Sequence, residues 1–516
     1  MTTRHLRSLL LAGTVAGCAL VSGGASAQTR GGDLVYLQQS TPPTLDAMVS
    51  TEQAVRNISM HVFEMLVALD EGANPVPDLA SDYTESVDGL TYTFRLRPGV
   101  KFHNGKALTS EDIKATFARY GRLGMDRGDF RLIGEVAAVD PATVRVTMKQ
   151  RVPSFIDQIS SPRAPMIVIP SEQAERETGK IDIIGTGPFE LVEYVPDSHV
   201  KLKRFETYAP NMNYAGPDGL AGRKVVNVDT VTFRIMPEAN ARVAALETKA
   251  AHMAEQIPNQ TAQRLKGSKD IKVITLMPWS MAFLILNAGT GPTTNLALRR
   301  AVQIAIDAEE AMEISTDGVY RLNHGFNYPE SQYNNGDIGK DRYNKADKER
   351  AKALLVEAGY KGEEIVIIAS SQIAAVNSQA VVVAQQLKAA GMNIKVEVSD
   401  SPTYIAKSRQ KEGWHIYVGE FGLAPWLGPY GLPNFWTGAQ NLQKQQDAEL
   451  DAAFADLKSK PTLKERQDAG NRFYSRIYDL AYAVKLGDNG LLQAVRNELV
   501  DFKPYRVPRA WGVSLR

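Results

Sequence analysis

The sequence predicts an α/β protein of more than one lobe. Two helix-then-strand units support this: 346–358 leads into 364–369, and 374–390 leads into 393–398. Gly359 and Gly391 stand where each helix must end, a position that favours a left-handed residue. Such alternation builds helices onto a sheet. A third observation is size. At 516 residues the chain has room for about two to four lobes with large cores.

The N-terminus comes first. Arg4 and Arg7 form a small basic region. Leu9, Leu10, Leu11, Ala12, Val15, Ala19, Leu20 and Val21 make an apolar stretch, and Ala25-Ser26-Ala27 has the small-x-small pattern of a cleavage site. A signal peptide over 1–27 is expected, followed by export to a compartment without an ATP pool or bulk nucleotides. A second reading takes Val15-Ala16-Gly17-Cys18 as a lipoprotein box that anchors the chain through Cys18. The apolar run before Cys18 is short, and more apolar residues follow it. Charges interrupt every later apolar run well before ~18 residues, so no membrane span is expected.

Lys and Arg number 59 against 58 Asp and Glu. Without Arg4 and Arg7 the mature chain falls just to the acidic side of neutral. Nothing in this balance supports binding to nucleic acid or to an anionic membrane. Cys18 is the only cysteine. A mature chain cut after Ala27 has no disulfide, thiol nucleophile or Cys-based metal site.

Val35-Tyr36-Leu37 reads as a first strand, ended by Pro42-Pro43. Residues 52–69 carry apolar residues at three- and four-residue steps, a helix pattern. Thr91 to Leu96 alternates as a strand. Pro98-Gly99 turns it, and Val100-Lys101-Phe102 is expected as its partner. Thr109-Ser110-Glu111-Asp112 caps a helix through Ile113, Phe117 and Tyr120. Val136 to Met148 is a strand region with a turn at Asp140-Pro141. Strands follow at 190–195, 199–204 and 225–235, then a helix at 238–249. From about 275 the character shifts, with a strand at 283–287 and a helix at 298–306. Residues 447–482 are largely helical, and the tail returns to β-like pairs near Leu499-Val500. Gly185-Thr186-Gly187 is too short for a dinucleotide loop and reads as a tight turn.

No G-x-S-x-G elbow, phosphate loop or H-E-x-x-H is present, and the histidines lack metal-ligand spacing. No group stands out as catalytic, so neither cofactor nor metal is expected and the chain is read as a non-enzyme. Aromatic residues are more informative. Trp414, Tyr417, Phe421, Trp426, Tyr430, Phe435 and Trp436 crowd a short span rich in Gly and Pro. Such a loop either lines a pocket or fills a core. Glu420 is the one acid among these rings. It is either at the surface or paired with a cation, including one from a ligand.

Several motifs resemble bacterial extracellular solute-binding protein family 5. The strongest are Pro75-x-Pro77-Asp78-Leu79-Ala80 and the run Asp88-Gly89-Leu90-Thr91-Tyr92-Thr93-Phe94-x-Leu96-Arg97-Pro98-Gly99-Val100-Lys101-Phe102-His103-Asn104-Gly105, followed by Thr109-x-x-Asp112. Gly185-Thr186-Gly187-Pro188-Phe189, Arg299-x-Ala301-x-x-x-Ala305-Ile306-Asp307 and Ala351-x-x-Leu354-Leu355-x-x-Ala358-Gly359 support it. The resemblance covers essentially the whole mature chain. It implies a two-lobed periplasmic binding protein of the class II, cluster C type, with an extra subdomain in the first lobe. The expected division is lobe I over 28–275 with the subdomain at about 50–180, lobe II over 276–485, and a return to lobe I over 486–516.

The family supplies receptors of ABC importers for oligopeptides, dipeptides, nickel chelates, opines and some oligosaccharides. In peptide-binding relatives a Trp-x-x-Asp motif provides an acid for the ligand's amino group. Tyr417-x-x-Glu420 is similar here. The Arg that holds a dipeptide carboxylate has no counterpart in Ile368-Ala369-Ser370-Ser371-Gln372. A cationic or amine-bearing ligand is therefore favoured over a free dipeptide. A longer peptide, an opine, a sugar or a metal chelate stays open. The expected ligand residues are Glu420 for the cation, Tyr417 and Trp426 as walls, and Trp279 for stacking. Phe421 and Trp414 belong to the same aromatic run, and Gln38 and Gln39 are expected to add hydrogen bonds. The expected role is a monomeric periplasmic receptor that delivers its ligand to a membrane permease and ATPase. A sensing or chaperone receptor on the same scaffold is the alternative.

Overall fold

The computed structural model describes residues 30–422 and 429–516. Cys18 and Trp426 lie outside the described residues. One sheet runs through the molecule. From one edge its strands are Ile394–Ser399, Ile365–Ser370, Ile416–Phe421, Ile271–Leu286, Ala483–Arg496, Met253–Ala254, Asp33–Gln38, Thr230–Ile235, His199–Arg204 and Phe189–Val195. Tyr320–Arg321 adds to Ala483–Arg496 off this path.

The strands Ile271–Leu286 and Ala483–Arg496 are 16 and 14 residues long and pair antiparallel. Their register holds from Ile271↔Arg496 to Leu276↔Leu491, then resumes at Ser280↔Asn489. Met277, Pro278 and Trp279 fall outside the ladder. Gly490 lies opposite, where a Cβ would stand 2.9 Å from both Met277 and Val319. A bulge of this kind bends a strand and sharpens its twist. This break separates Ile274, in the core of the first lobe, from Met281 to Leu286, in the cores of the second.

In the first lobe Asp33–Gln38 pairs parallel with Thr230–Ile235, and Tyr36, Val231 and Phe233 enter the core. That core is continuous with a four-stranded antiparallel sheet ordered Ala80–Glu85, Thr91–Leu96, Thr143–Met148, Ile133–Asp140. The helix Ser110–Leu123 packs on it through Ile113 and Phe117. The Asp112 carboxylate accepts the Thr109 backbone N–H at 2.9 Å, which closes the expected cap. C-terminal residues Tyr505, Val507 and Trp511 pack into this same core.

Two local expectations need correction. The helix at 52–69 is Gln53–Val62 only, and Val67–Leu69 is a strand. Met65, Leu66 and Leu69 are buried in the lobe core, so their apolar character reflects burial rather than helical period. Thr91–Leu96 is not half of a hairpin with 100–102. Both of its edges are taken, by Ala80–Glu85 and Thr143–Met148, and Lys101 only bridges Ala107.

In the second lobe the sheet is covered on both faces. Ala282, Leu284, Ile416 and Val418 meet the helices Leu296–Ala305, Ala308–Thr316 and Ala374–Ala389 in one core. Met281, Phe283, Ile285 and Tyr417 meet Ala448–Ser459 and Leu463–Asp479 in the other. Gly359 and Gly391 follow their helices at φ 66° and 94°, where a side chain would be strained. Among the described residues no helix is long and apolar enough to cross a membrane.

Candidate ligand site between the lobes

A cavity of about 670 Å³ is walled by both lobes. Asp126, Asp129, Asp157, Gln158 and Arg163 come from the first lobe, and Phe421, Gly422, Tyr430 and Phe435 from the second. The helix Phe155–Ser160 carries Asp157 and Gln158. Phe421 ends the strand Ile416–Phe421, stacks on Phe283 at 4.9 Å and 6°, and tilts against Phe435 at 4.4 Å. Stacked and tilted ring pairs of this kind add to the apolar packing of the wall. The Tyr430 hydroxyl reaches across the lobes to Asp157 at 3.5 Å, at the weak limit for such a bond. Tyr430 lies edge-on to Tyr333, whose hydroxyl accepts from Arg466 Nε at 3.2 Å.

Charges of both signs surround the cavity. Arg163 pairs with Asp126, and its carbonyl accepts from Arg56 Nη1 at 3.0 Å. Burial, then the nearby Arg506 and Arg163 guanidinium groups, pull Arg56 down to about 9. The Arg506 guanidinium stacks 4.0 Å from the Trp279 ring centre and donates to the Trp279 carbonyl at 2.5 Å. Burial lowers Arg506 to about 10. Burial also raises Asp157 to about 6, against the opposing charge of Arg466. A second cavity of about 670 Å³ lies against the strands Ile271–Leu286 and Ala483–Arg496, walled by Asn259, Lys266, Ile271, Val319 and Leu492. Tyr320 is the single ring among its described walls.

Of the residues singled out in the sequence, Phe421 lines the inter-lobe cavity. Trp279 sits in the bulge between Leu276 and Ser280 with one face covered by Arg506. Glu420 accepts a short hydrogen bond from Ser280, whose hydroxyl also receives the Asn489 amide at 3.1 Å. Glu420 and Tyr417 cannot form one wall. Strand side chains alternate faces, and Tyr417 packs on the opposite face from Ile416 and Val418. Tyr417 stacks on Tyr404 at 4.8 Å in the lobe core. Trp414 is fully buried there and donates to the Gln410 carbonyl at 2.9 Å. Both rings are therefore core residues on the face of the strand that also carries Phe421. Gln38 is buried and donates to the Ser40 carbonyl, while Gln39 donates its backbone N–H to Glu255 at 2.8 Å. Trp426 lies outside the described residues.

The sequence reading missed Asp157, Arg163 and Arg506. No motif marks them: Asp157 and Arg163 face Phe421 and Tyr430 only in the fold, and Arg506 arrives from the distant C-terminal segment beside Gln53. No cluster of three or more His, Cys, Asp or Glu able to hold a metal occurs among the described residues.

A sheet bent at paired strand crossings, with a charged and aromatic cavity between its halves, defines a two-lobed solute-binding protein. The family described as bacterial extracellular solute-binding proteins, family 5 Middle, matches residues 74–443, and the chain belongs to it. The glutathione-binding protein GsiB of Salmonella typhi is 29% identical over 465 residues, covering 84% of this chain and 86% of that protein. The ABC transporter substrate-binding protein CtaP of Listeria monocytogenes superposes with a TM-score of 0.80 at 21% identity, over 94% of this chain and 99% of that one. The oligopeptide-binding protein AppA of Bacillus subtilis, solved with a nonapeptide, gives 0.70 at 21% identity, over 95% and 100%.

Proposed function

We propose that this protein captures a short peptide between its lobes outside the cytoplasmic membrane and delivers it to the permease of an ABC importer. It acts by binding and not by catalysis, as a monomer. Lobe I is assigned to residues 28–275 with the return segment 486–516, and lobe II to 276–485.

The observation that carries this reading is the inter-lobe cavity. Its size is that of a small-molecule site. Its rings offer apolar contact, its acids suit an amino group, and the arginines beside it suit a carboxylate. A peptide has all three features, and glutathione carries an amino group and two carboxylates. The relatives named for glutathione binding support the same ligand class. Because the walls come from both lobes, a ligand makes its full set of contacts only when they are closed. Binding then shifts the population towards closure.

The test is mass spectrometry of ligand released by denaturing protein purified from its native host. A peptide of a few residues, glutathione included, is the expected result. A sugar or a metal chelate would overturn the reading.

A further inference from the structure

We infer that Asp157, on the first lobe, is the acid that receives the ligand's amino group; this rests on the peptide-binding reading above. Three carboxylates wall the described part of the cavity: Asp126, Asp129 and Asp157. Asp126 is paired with Arg163. Asp129 accepts the Gln158 side-chain amide at 2.5 Å. Among the described residues, Asp157 has only the long contact from the Tyr430 hydroxyl at 3.5 Å. Arg466 is the cation that influences it. Its donors, however, point to the Tyr333 hydroxyl and to the carbonyls of Lys460 and Pro461. Residues 423–428 contain no Lys, Arg or His.

A carboxylate partly withdrawn from bulk water without a cation is a costly arrangement. Burial holds the acid well above its ordinary range, which shows the same deficit. An ammonium group placed in the cavity removes that deficit with a charge-assisted hydrogen bond. Glu420 is a poorer candidate. Its carboxylate is already engaged by Ser280, and Ser280 by Asn489. The amino end of the ligand would thus sit against the first lobe, beside Tyr430 of the second.

The experiment is a binding cycle by calorimetry on the mature protein. The probes are glutathione and trialanine, each compared with its N-acetylated form. In the wild type, acetylation should weaken binding about ten-fold or more. In Asp157→Asn, which keeps the side chain's shape, free and acetylated probes should bind within about two-fold of each other. The wild-type comparison needs no variant, so a folding defect cannot mask it. Equal binding of free and acetylated probes by the wild type overturns the inference and leaves peptide capture standing. So does an equal loss for both forms in Asp157→Asn, which would make Asp157 only a strut for Tyr430. Loss of the discrimination in Glu420→Gln instead also overturns it. No binding of either free probe overturns both readings.

Discussion

His61 sits in the first-lobe core between two partners of opposite kind. Its Nδ1 faces the Asn57 carbonyl at 2.8 Å, and its Nε2 accepts the Ala510 backbone N–H at 3.0 Å. Only the neutral ring with its proton on Nδ1 satisfies both. Protonation would set an N–H against an N–H, and burial lowers the group from 6.5 to about 3. Its contribution is therefore complete above pH 6.5 and declines as pH falls towards 3. Denaturant titrations should show the wild type losing its advantage over His61→Gln by about 1.4 kcal/mol per pH unit below 6.5. An advantage independent of pH would contradict this. At the residue scale the site was only partly legible. Phe421 could be found because a dense aromatic run is a local signal. The pair Tyr417-x-x-Glu420 is split between the two faces of the sheet, because a three-residue offset in a strand sends side chains to opposite sides. Asp157 and Arg506 carry no local signature at all.

Elements were more legible where their causes are local. The caps at Thr109–Asp112, Gly359 and Gly391 all stand as read. The long strand Ile271–Leu286 was recovered only at its far end. Its alternation breaks at the hinge bulge, and beyond it every residue from Ser280 to Leu286 is buried, so no polar face marks the period. The turn Gly185-Thr186-Gly187 has a physical cause the sequence does not show. A Cβ on Gly185 would lie 2.0 Å from the Val62 carbonyl oxygen, and one on Gly187 2.6 Å from that of His61. The glycines let this turn lie on the end of the helix Gln53–Val62, where Gly187 N–H donates to Val62 at 2.9 Å. Gly185→Ala must move backbone, and should cost about 3 kcal/mol or more in thermal or denaturant unfolding. A loss below about 1 kcal/mol would show that this contact is soft.

At the scale of the molecule, the two lobes and their double crossing follow from one sheet bent once. Arg506 fastens the C-terminal segment to that bend, since it stacks on Trp279 and holds its carbonyl. Arg506→Ala should leave the lobe cores intact and loosen the hinge. Small-angle scattering should then show a more expanded ligand-free protein, and ligand affinity should fall about ten-fold, the lower range for a coupling between distant groups. An unchanged scattering profile with unchanged affinity would remove Arg506 from the hinge. Ligand at one hundred times its dissociation constant should stabilise the folded protein by about 2.7 kcal/mol, because it binds only where both lobes are formed. The central claim is that a short peptide occupies the cavity between Asp157 and Phe421. Isothermal titration of the mature protein with glutathione and with peptides of increasing length tests it most directly. Saturable one-to-one binding is predicted, weakened by Phe421→Ala and by Arg163→Glu. Binding that ignores both substitutions, or none at all, would contradict it.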